Sequence, residues 1–301
     1  MAIEKLSIGS WAYAFGPYEK DPVPFDAVCA RLGELGYDGI EVGGFRPHVH
    51  PDDYPSKADR DGLCKLIADA GLEVSGAAID FWSEPGPGTD AAQENDAYFK
   101  LFQKNLQYAV DLGAPSIRVD TVSPPAPIEG TDDATAWKRI TEVWRRCAQL
   151  ASEAGIKMVW EFEPGFKFNK PSEIVRMVDD VAHPNFSVLF DTCHAYMCGV
   201  VGARQEGTKE TLKGGLVEFT ELLKGKIGHA HVIDSDGTLH GDETSTHRPF
   251  GEGNIDFDEI IPAIEAAGYH DKWWTIDLCF WPEAWEVTEN AKKFLAKYMT
   301  S

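Results

Sequence analysis

A closed (β/α)8 barrel, built as one domain over residues 1–301, is the fold class the sequence predicts, and three observations predict it. First, a phrase recurs: an amphipathic helix, a glycine, then an apolar run ending in a polar group, with the glycines at 36, 71, 113, 155 and 268. A glycine there ends a helix at little cost, because it accepts the left-handed conformation, and the chain turns into the next parallel strand. Second, apolar runs such as Val188-Leu189-Phe190 have no polar face, as strands buried on both sides require. Third, no linker or low-complexity stretch divides the chain, and barrels of this length stay one domain. An open doubly wound sheet would want a glycine-rich phosphate turn after the first strand, and Gly9-Ser10-Trp11 is not one.

The elements follow in order. Strands are expected at 6–13, 38–43, 72–80, 116–120, 156–163, 186–191, 227–232 and 273–278. Helices fit between them at 24–35, 57–70, 91–112, 132–154, 171–181, 209–224 and 256–267, and 283–298 closes the ring. Ser172-Glu173 after Pro171, and Asp256 with Asp258-Glu259, put acids in first turns, where they oppose the helix dipole favourably. The long loop after His231, with Asp234, Asp236, Asp242, His247 and Arg248, lies over the C-terminal mouth, where barrel enzymes place substrate contacts. Segment 82–90 is a second candidate wall.

Composition narrows the function. Lys and Arg total 28 against 49 Asp and Glu, a formal charge of −21, and such a field repels nucleic acid and anionic membranes. It favours a neutral small molecule or a cation. Six cysteines without a CxxC pair read as reduced core thiols. No segment approaches the run of about 20 apolar residues a membrane helix needs. The opening Met1-Ala2-Ile3-Glu4-Lys5 lacks a signal pattern, so a cytoplasmic location is expected.

Four predicted strands end in metal-ligand residue types: Glu163, Asp191, His231 and Asp277. A strand-end acid is poorly solvated and needs a partner. Strands five to eight ring one half of a barrel mouth, so these side chains can converge on one divalent ion. Three carboxylates and one imidazole suit Mn²⁺, Mg²⁺, Co²⁺ or Zn²⁺ and leave positions open for substrate oxygens. Glu161 shares strand parity with Glu163 and reads as a deeper, paired acid; His229 reads as a buried, hydrogen-bonded histidine. Glu41 and His50 lie near the mouth. Trp11, Trp82, Trp160, Phe280 and Trp281 are core or rim residues, and a sugar's C–H face stacks on such rings.

Phe190-Asp191-Thr192-Cys193-His194, His231-Val232-Ile233-Asp234-Ser235 and His247-Arg248-Pro249-Phe250-Gly251-Glu252-Gly253 resemble the xylose isomerase-like TIM-barrel superfamily. That superfamily holds sugar isomerases and epimerases, inosose dehydratases and isomerases, and nucleases of the endonuclease IV type. The resemblance implies one bound divalent metal, commonly Mn²⁺, on Glu163, Asp191, His231 and Asp277. It implies Glu163 and Asp277 as acid/base groups. It also implies a small carbohydrate held by His194 and Arg248, with His247 and Trp11 as further contacts, and a homo-oligomer. The chemistry expected is proton removal alpha to a carbonyl of a non-phosphorylated sugar or inosose, ending in isomerisation, epimerisation or elimination, the last including cleavage of a 3-oxo-glycoside. A non-catalytic sugar-binding barrel is the alternative from another class.

Two departures bear on it. Epimerases usually have Glu at the position of Asp277, and ketose 3-epimerases carry an arginine at that of Gly237. The nuclease branch needs further histidines after strands three and four and an Asp at 245, where this chain has Asp80, Asp120 and Ser245.

Overall fold

The computed structural model describes residues 3–82, 84–121, 128 and 130–300. Its strands are β1 (Lys5–Gly9), β2 (Gly39–Gly44), β3 (Glu73–Ile79), β4 (Ser116–Val119), β5 (Lys157–Glu161), β6 (Phe186–Asp191), β7 (Ile227–Val232), β8 (Asp234–His240), β9 (Thr244–Arg248) and β10 (Trp273–Ile276). All but β8 and β9 close into a parallel barrel in the order β1-β10-β7-β6-β5-β4-β3-β2. β8 and β9 form an antiparallel hairpin in the loop after β7, and Thr244 of this hairpin reaches Glu163 over the mouth. Of segment 82–90, Ser83 lies outside the described residues.

The five repeat glycines take the left-handed conformation, with φ of 70°, 77°, 70°, 72° and 98° at Gly36, Gly71, Gly113, Gly155 and Gly268. The core lies between the barrel and its helices. There Trp144 meets Trp160 at 5.6 Å, and Phe162 and Phe190 pack on Phe219. Each such side chain contributes about 1.5–3 kcal/mol on burial. All six cysteines are free, and among the described residues no helix is long and apolar enough to cross a membrane.

Several expected elements come out shorter, three of them with a local cause in the backbone or a ring. The first strand stops at Gly9, and Ser10–Tyr13 is a 3-10 turn. The cause is steric: a Cβ on Gly9 would lie 2.2 Å from the Trp11 ring, so the indole folds back where only a glycine leaves room. The helix expected over 91–112 divides into 90–93 and 97–111, because Asn95 and Asp96 are left-handed (φ 52° and 59°). Arg146 pairs with the Asp96 carboxylate at 2.9 Å. The helix expected over 209–224 spans only Gly215–Leu222, since Gly215 has φ 63° and interrupts helical geometry.

Candidate active site

The fifth strand sets the site's geometry, because it stops at Glu161 and not at 163. In register, Glu161 pairs with Leu189, Asp191 pairs with His231, and His231 pairs with Thr275. Thus Asp191 lies two residues beyond Glu161's partner, and Asp277 two beyond His231's partner. This climb is the stagger of tilted strands in a closed barrel, and it brings Glu161 level with the others above the axis. Glu161 Oε1 lies 3.3 Å and Asp277 Oδ2 3.5 Å from His231 Nδ1. Asp191 Oδ1 accepts the His194 backbone N–H at 2.8 Å.

His231 is oriented from behind. Its Nε2–H donates to Glu41 Oε2 at 3.0 Å, so Nδ1 faces the acids. The same Glu41 oxygen accepts from His229 at 2.8 Å and Thr275 at 2.8 Å. An imidazole fixed by a buried carboxylate on its far nitrogen is the arrangement that orients metal-binding histidines. Gly76 makes room for it, since a Cβ there would come 3.1 Å from the Glu41 carboxyl carbon.

Glu161 is oriented too. Arg118 Nη1 donates to its Oε2 at 2.6 Å, leaving Oε1 toward His231. Burial raises the Glu161 carboxyl's pKa, but the Arg118 charge together with His231 and His194 outweighs it and brings it down to about 2. Asp277 is held well below the usual carboxylate range: burial opposes, while His247 and His231 prevail. Its Oδ1 accepts from Trp11 Nε1 at 2.8 Å and from the Cys279 N–H at 3.0 Å. Burial would lower His231, yet Glu41, Asp277 and Glu161 hold it well above the ordinary histidine value.

Glu163 stands apart. It lies past the strand end, where Thr244 of the hairpin donates to Oε2, and His194 Nε2 is 3.9 Å away. Burial, then the charge of Glu161, pushes its carboxyl up to about 8. Burial pushes Asp191 up to about 7, against the pull of His247. His194 falls to about 3, through burial and then His247, and its Nδ1 bonds Ser245 Oγ at 2.8 Å. His247 sits 3.4 Å from Asp277 and 3.9 Å from Asp191.

Whether these residues fit a divalent ion is tested by the atoms left over. Glu161 Oε1, Asp191 Oδ2, His231 Nδ1 and both His247 ring nitrogens are buried without a hydrogen-bond partner. Buried orphan atoms are costly, and so many at one place mark a missing shared partner. Glu161, His231 and Asp277 form one group whose ligand atoms lie within 4.8 Å of one another; Asp191, Cys193 and His247 form an adjoining one. Oxygen-rich donors with one imidazole fit such an ion.

The structure thus brings together His231 and Asp277 with Glu161, where the sequence reading puts Glu163 in the ligand set. Trp11, His194, His247, Glu163 and Asp277 line one cavity of about 390 Å³ over the barrel. Arg248 does not reach it: its Nε donates to Asp236 at 2.7 Å, and its guanidinium lies 5.2 Å over Trp281. Sequence reasoning placed Glu41 near the mouth without its bond to His231, read Glu161 as a paired acid without naming its partner, and did not name Arg118, which is that partner. Strand parity was the available signal, since Glu161 and Glu163 share a face and the stagger decides between them.

The chain is thus a closed parallel barrel whose mouth gathers carboxylate and imidazole groups able to hold a metal ion. The sequence profile of the xylose isomerase-like TIM barrel family matches residues 29–297, and this chain belongs to that family. It is 27% identical to L-ribulose 3-epimerase of Mesorhizobium japonicum over 278 residues, 89% of this chain and 79% of that one. It is 24% identical to inosose dehydratase of Glaesserella parasuis over 274 residues, 84% and 81% of the two chains. Its fold matches the IOLI protein solved with a bound zinc atom at TM-score 0.71 and 18% identity, covering 97% and 95%.

Proposed function

We propose that this chain is a divalent-metal-dependent enzyme that isomerises or epimerises a non-phosphorylated sugar, keto-sugar or inosose by proton abstraction alpha to a carbonyl. The carrying observation is the convergence of unpartnered buried donors from Glu161, Asp191 and His231, beside Asp277, under a sugar-accommodating cavity. The similarity to a sugar epimerase and an inosose dehydratase supports it. A bound divalent ion, Mn²⁺ first among Mn²⁺, Mg²⁺, Co²⁺ and Zn²⁺, supplies Lewis acidity at a carbonyl oxygen. Glu161, Asp191, His231 and Asp277 are the residues that would hold it. The same proposal includes a cytoplasmic location, in keeping with six free cysteines, and a homo-oligomer.

Glu163 is the proton carrier in this reading. It lines the cavity, and a carboxyl pushed up to about 8 sits near the pH where acid/base exchange is efficient. As the C–H bond breaks, its electron pair forms the new C=C bond, the carbonyl oxygen takes the charge, and Glu163 holds the proton. Asp277 is unsuited to return it, because His247 and His231 prevail over burial and keep it ionised. Return by Glu163 to the neighbouring carbon, with the adjacent hydroxyl's proton passing to the former carbonyl oxygen, isomerises. Return to the opposite face needs a second group, and His247, with both ring nitrogens unbonded, is available. His194, neutral at about 3, is placed beside Glu163 to hold a substrate hydroxyl.

Dehydration is the second reading. The observation favouring it is that Glu163, pushed up to about 8, is a weak enough acid to hold the proton it takes from carbon and then pass it to the β-hydroxyl, which leaves as water while the enolate electron pair forms the C=C bond. Both are tested by incubating Mn²⁺-loaded protein with ketoses and inososes in D₂O and following the products by NMR. Deuterium at one carbon alpha to the carbonyl is expected; a vinylic signal indicates elimination. Bound metal with no exchange across the panel would overturn both.

A further inference from the structure

Five aromatic rings stand around the mouth, on loops just past the strand ends. Phe15, Phe45, Trp82, Phe166 and Phe280 follow the ends of β1, β2, β3, β5 and β10, one ring per loop, and all line the cavity. They touch in sequence: Phe280 to Phe15 at 6.2 Å, Phe15 to Phe45 at 5.3 Å, Phe45 to Trp82 at 5.1 Å, Trp82 to Phe166 at 6.0 Å. The collar grades from Phe45, 7% exposed, to Trp82, 38% exposed and one of two exposed large apolar side chains among the described residues. It therefore runs from the polar floor out to solvent.

A lone sugar explains little of this collar. A pyranose offers one C–H face to one or two rings, whereas five apolar rings around it would leave its other hydroxyls dry and unpaired. Apolar surface held open to water at a cavity rim marks a binding surface. Arg118 fixes where the two environments meet. Its guanidinium lies 5.3 Å from the Trp82 ring and 5.8 Å from Phe45, while Nη1 holds Glu161 at 2.6 Å. An occupant spanning that boundary has a polyhydroxylated end and a flat apolar end.

From this we infer that the substrate is an oxo-sugar joined at its anomeric carbon to a planar apolar group, a keto-glycoside with an aromatic aglycone, whose aglycone lies in the collar. This rests on the sugar reading above and adds the substituent to it. The cavity of about 390 Å³ extends past the ligand group to hold both parts.

The test is binding without turnover. Isothermal titration of Mn²⁺-loaded protein with the two anomers of 4-nitrophenyl glucoside and of methyl glucoside, none carrying a carbonyl, reads the collar directly. The aryl compound of one anomer is expected to bind at least about tenfold more tightly. Trp82→Ala and Phe45→Leu should bring it within about threefold of the methyl compound with metal content unchanged. Trp82 is exposed, so its loss leaves the fold intact. Equal affinities in the unmodified protein would overturn the inference, as would an aryl preference that survives both substitutions. Dissociation of a dimer by Trp82→Ala would also overturn it, by making the collar a subunit contact. A preserved aryl preference with no proton exchange into any sugar would sink the reaction and leave the collar standing. Exchange into free sugars with no aryl preference would sink the collar alone.

Discussion

The two halves of the mouth use one scaffold in opposite ways. On the half made by β5, β6, β7 and β10, the ligand groups belong to strand ends or the next residue, and buried partners behind them hold His231 and Glu161: Glu41 and Arg118. On the half led by β1, β2 and β3, the groups are rings on the loops just past the strands, held by one another. Strands hold an atom to within a fraction of an ångström, whereas loops accept variation. The contrast teaches that bond-making geometry is assigned to the rigid part and choice of occupant to the adaptable part.

His231→Ala attacks the rigid half hardest. It strips the imidazole from between Glu161 and Asp277 and leaves Glu41 without one of its donors. Removing one partner of a buried charged network costs about 3–5 kcal/mol. Mass-spectrometric metal analysis should find an empty protein, and turnover should vanish. If metal and activity persist, the ligand group is misplaced.

A sharper cut runs between two acids two residues apart. Glu161→Gln removes a ligand oxygen and the partner of Arg118, so metal content should fall with activity. Glu163→Gln should keep its metal and lose about 10²–10⁴-fold in kcat, the span of a lost general acid/base group. The reverse pattern would restore Glu163 as the ligand and retire Glu161.

That pair also shows what the sequence carried. The barrel was legible because helix, glycine and apolar run repeat, and Gly36, Gly71, Gly113, Gly155 and Gly268 take the backbone they announce. Asp191, His231 and Asp277 were legible as strand-end groups. Glu161 against Glu163 was not, because parity fixes the face of a strand while height around a barrel comes from register with its neighbours. Glu41 was hidden for a similar reason. It sits on β2, 188 residues from His229, and only closure of the barrel brings the two to 2.8 Å. The collar was half visible: Trp82 and Phe280 read as rim residues, but a run of rings from five loops exists only in three dimensions.

The smallest effect asks whether the polar half is tense without its ion. In the metal-free fold Asp191 and Glu163 give up their protons near 7 and 8, well above their ordinary values, and His231 does so well above its own. Burial produces the first two shifts, and for His231 the surrounding carboxylates overcome burial. A pKa raised on folding contributes stability that is complete below the unfolded value and is lost as pH rises through the folded one. His194 works the other way, being lowered to about 3, but its contribution is complete once the pH passes its unfolded value of 6.5. The lowered acids Glu161 and Asp277 likewise contribute fully above their ordinary range. Between pH 6.5 and about 8, then, these shifts all push the same way, and the midpoint of thermal unfolding of chelator-treated protein should fall by a few degrees. Saturating Mn²⁺ should raise the midpoint most at the upper end, since ligands must be deprotonated to bind. Substitutions in the aromatic half away from the titrating groups, such as Phe15→Leu, should leave that slope untouched. A midpoint that rises with pH across this window in the chelated protein would mean that the buried acids are already compensated within the chain.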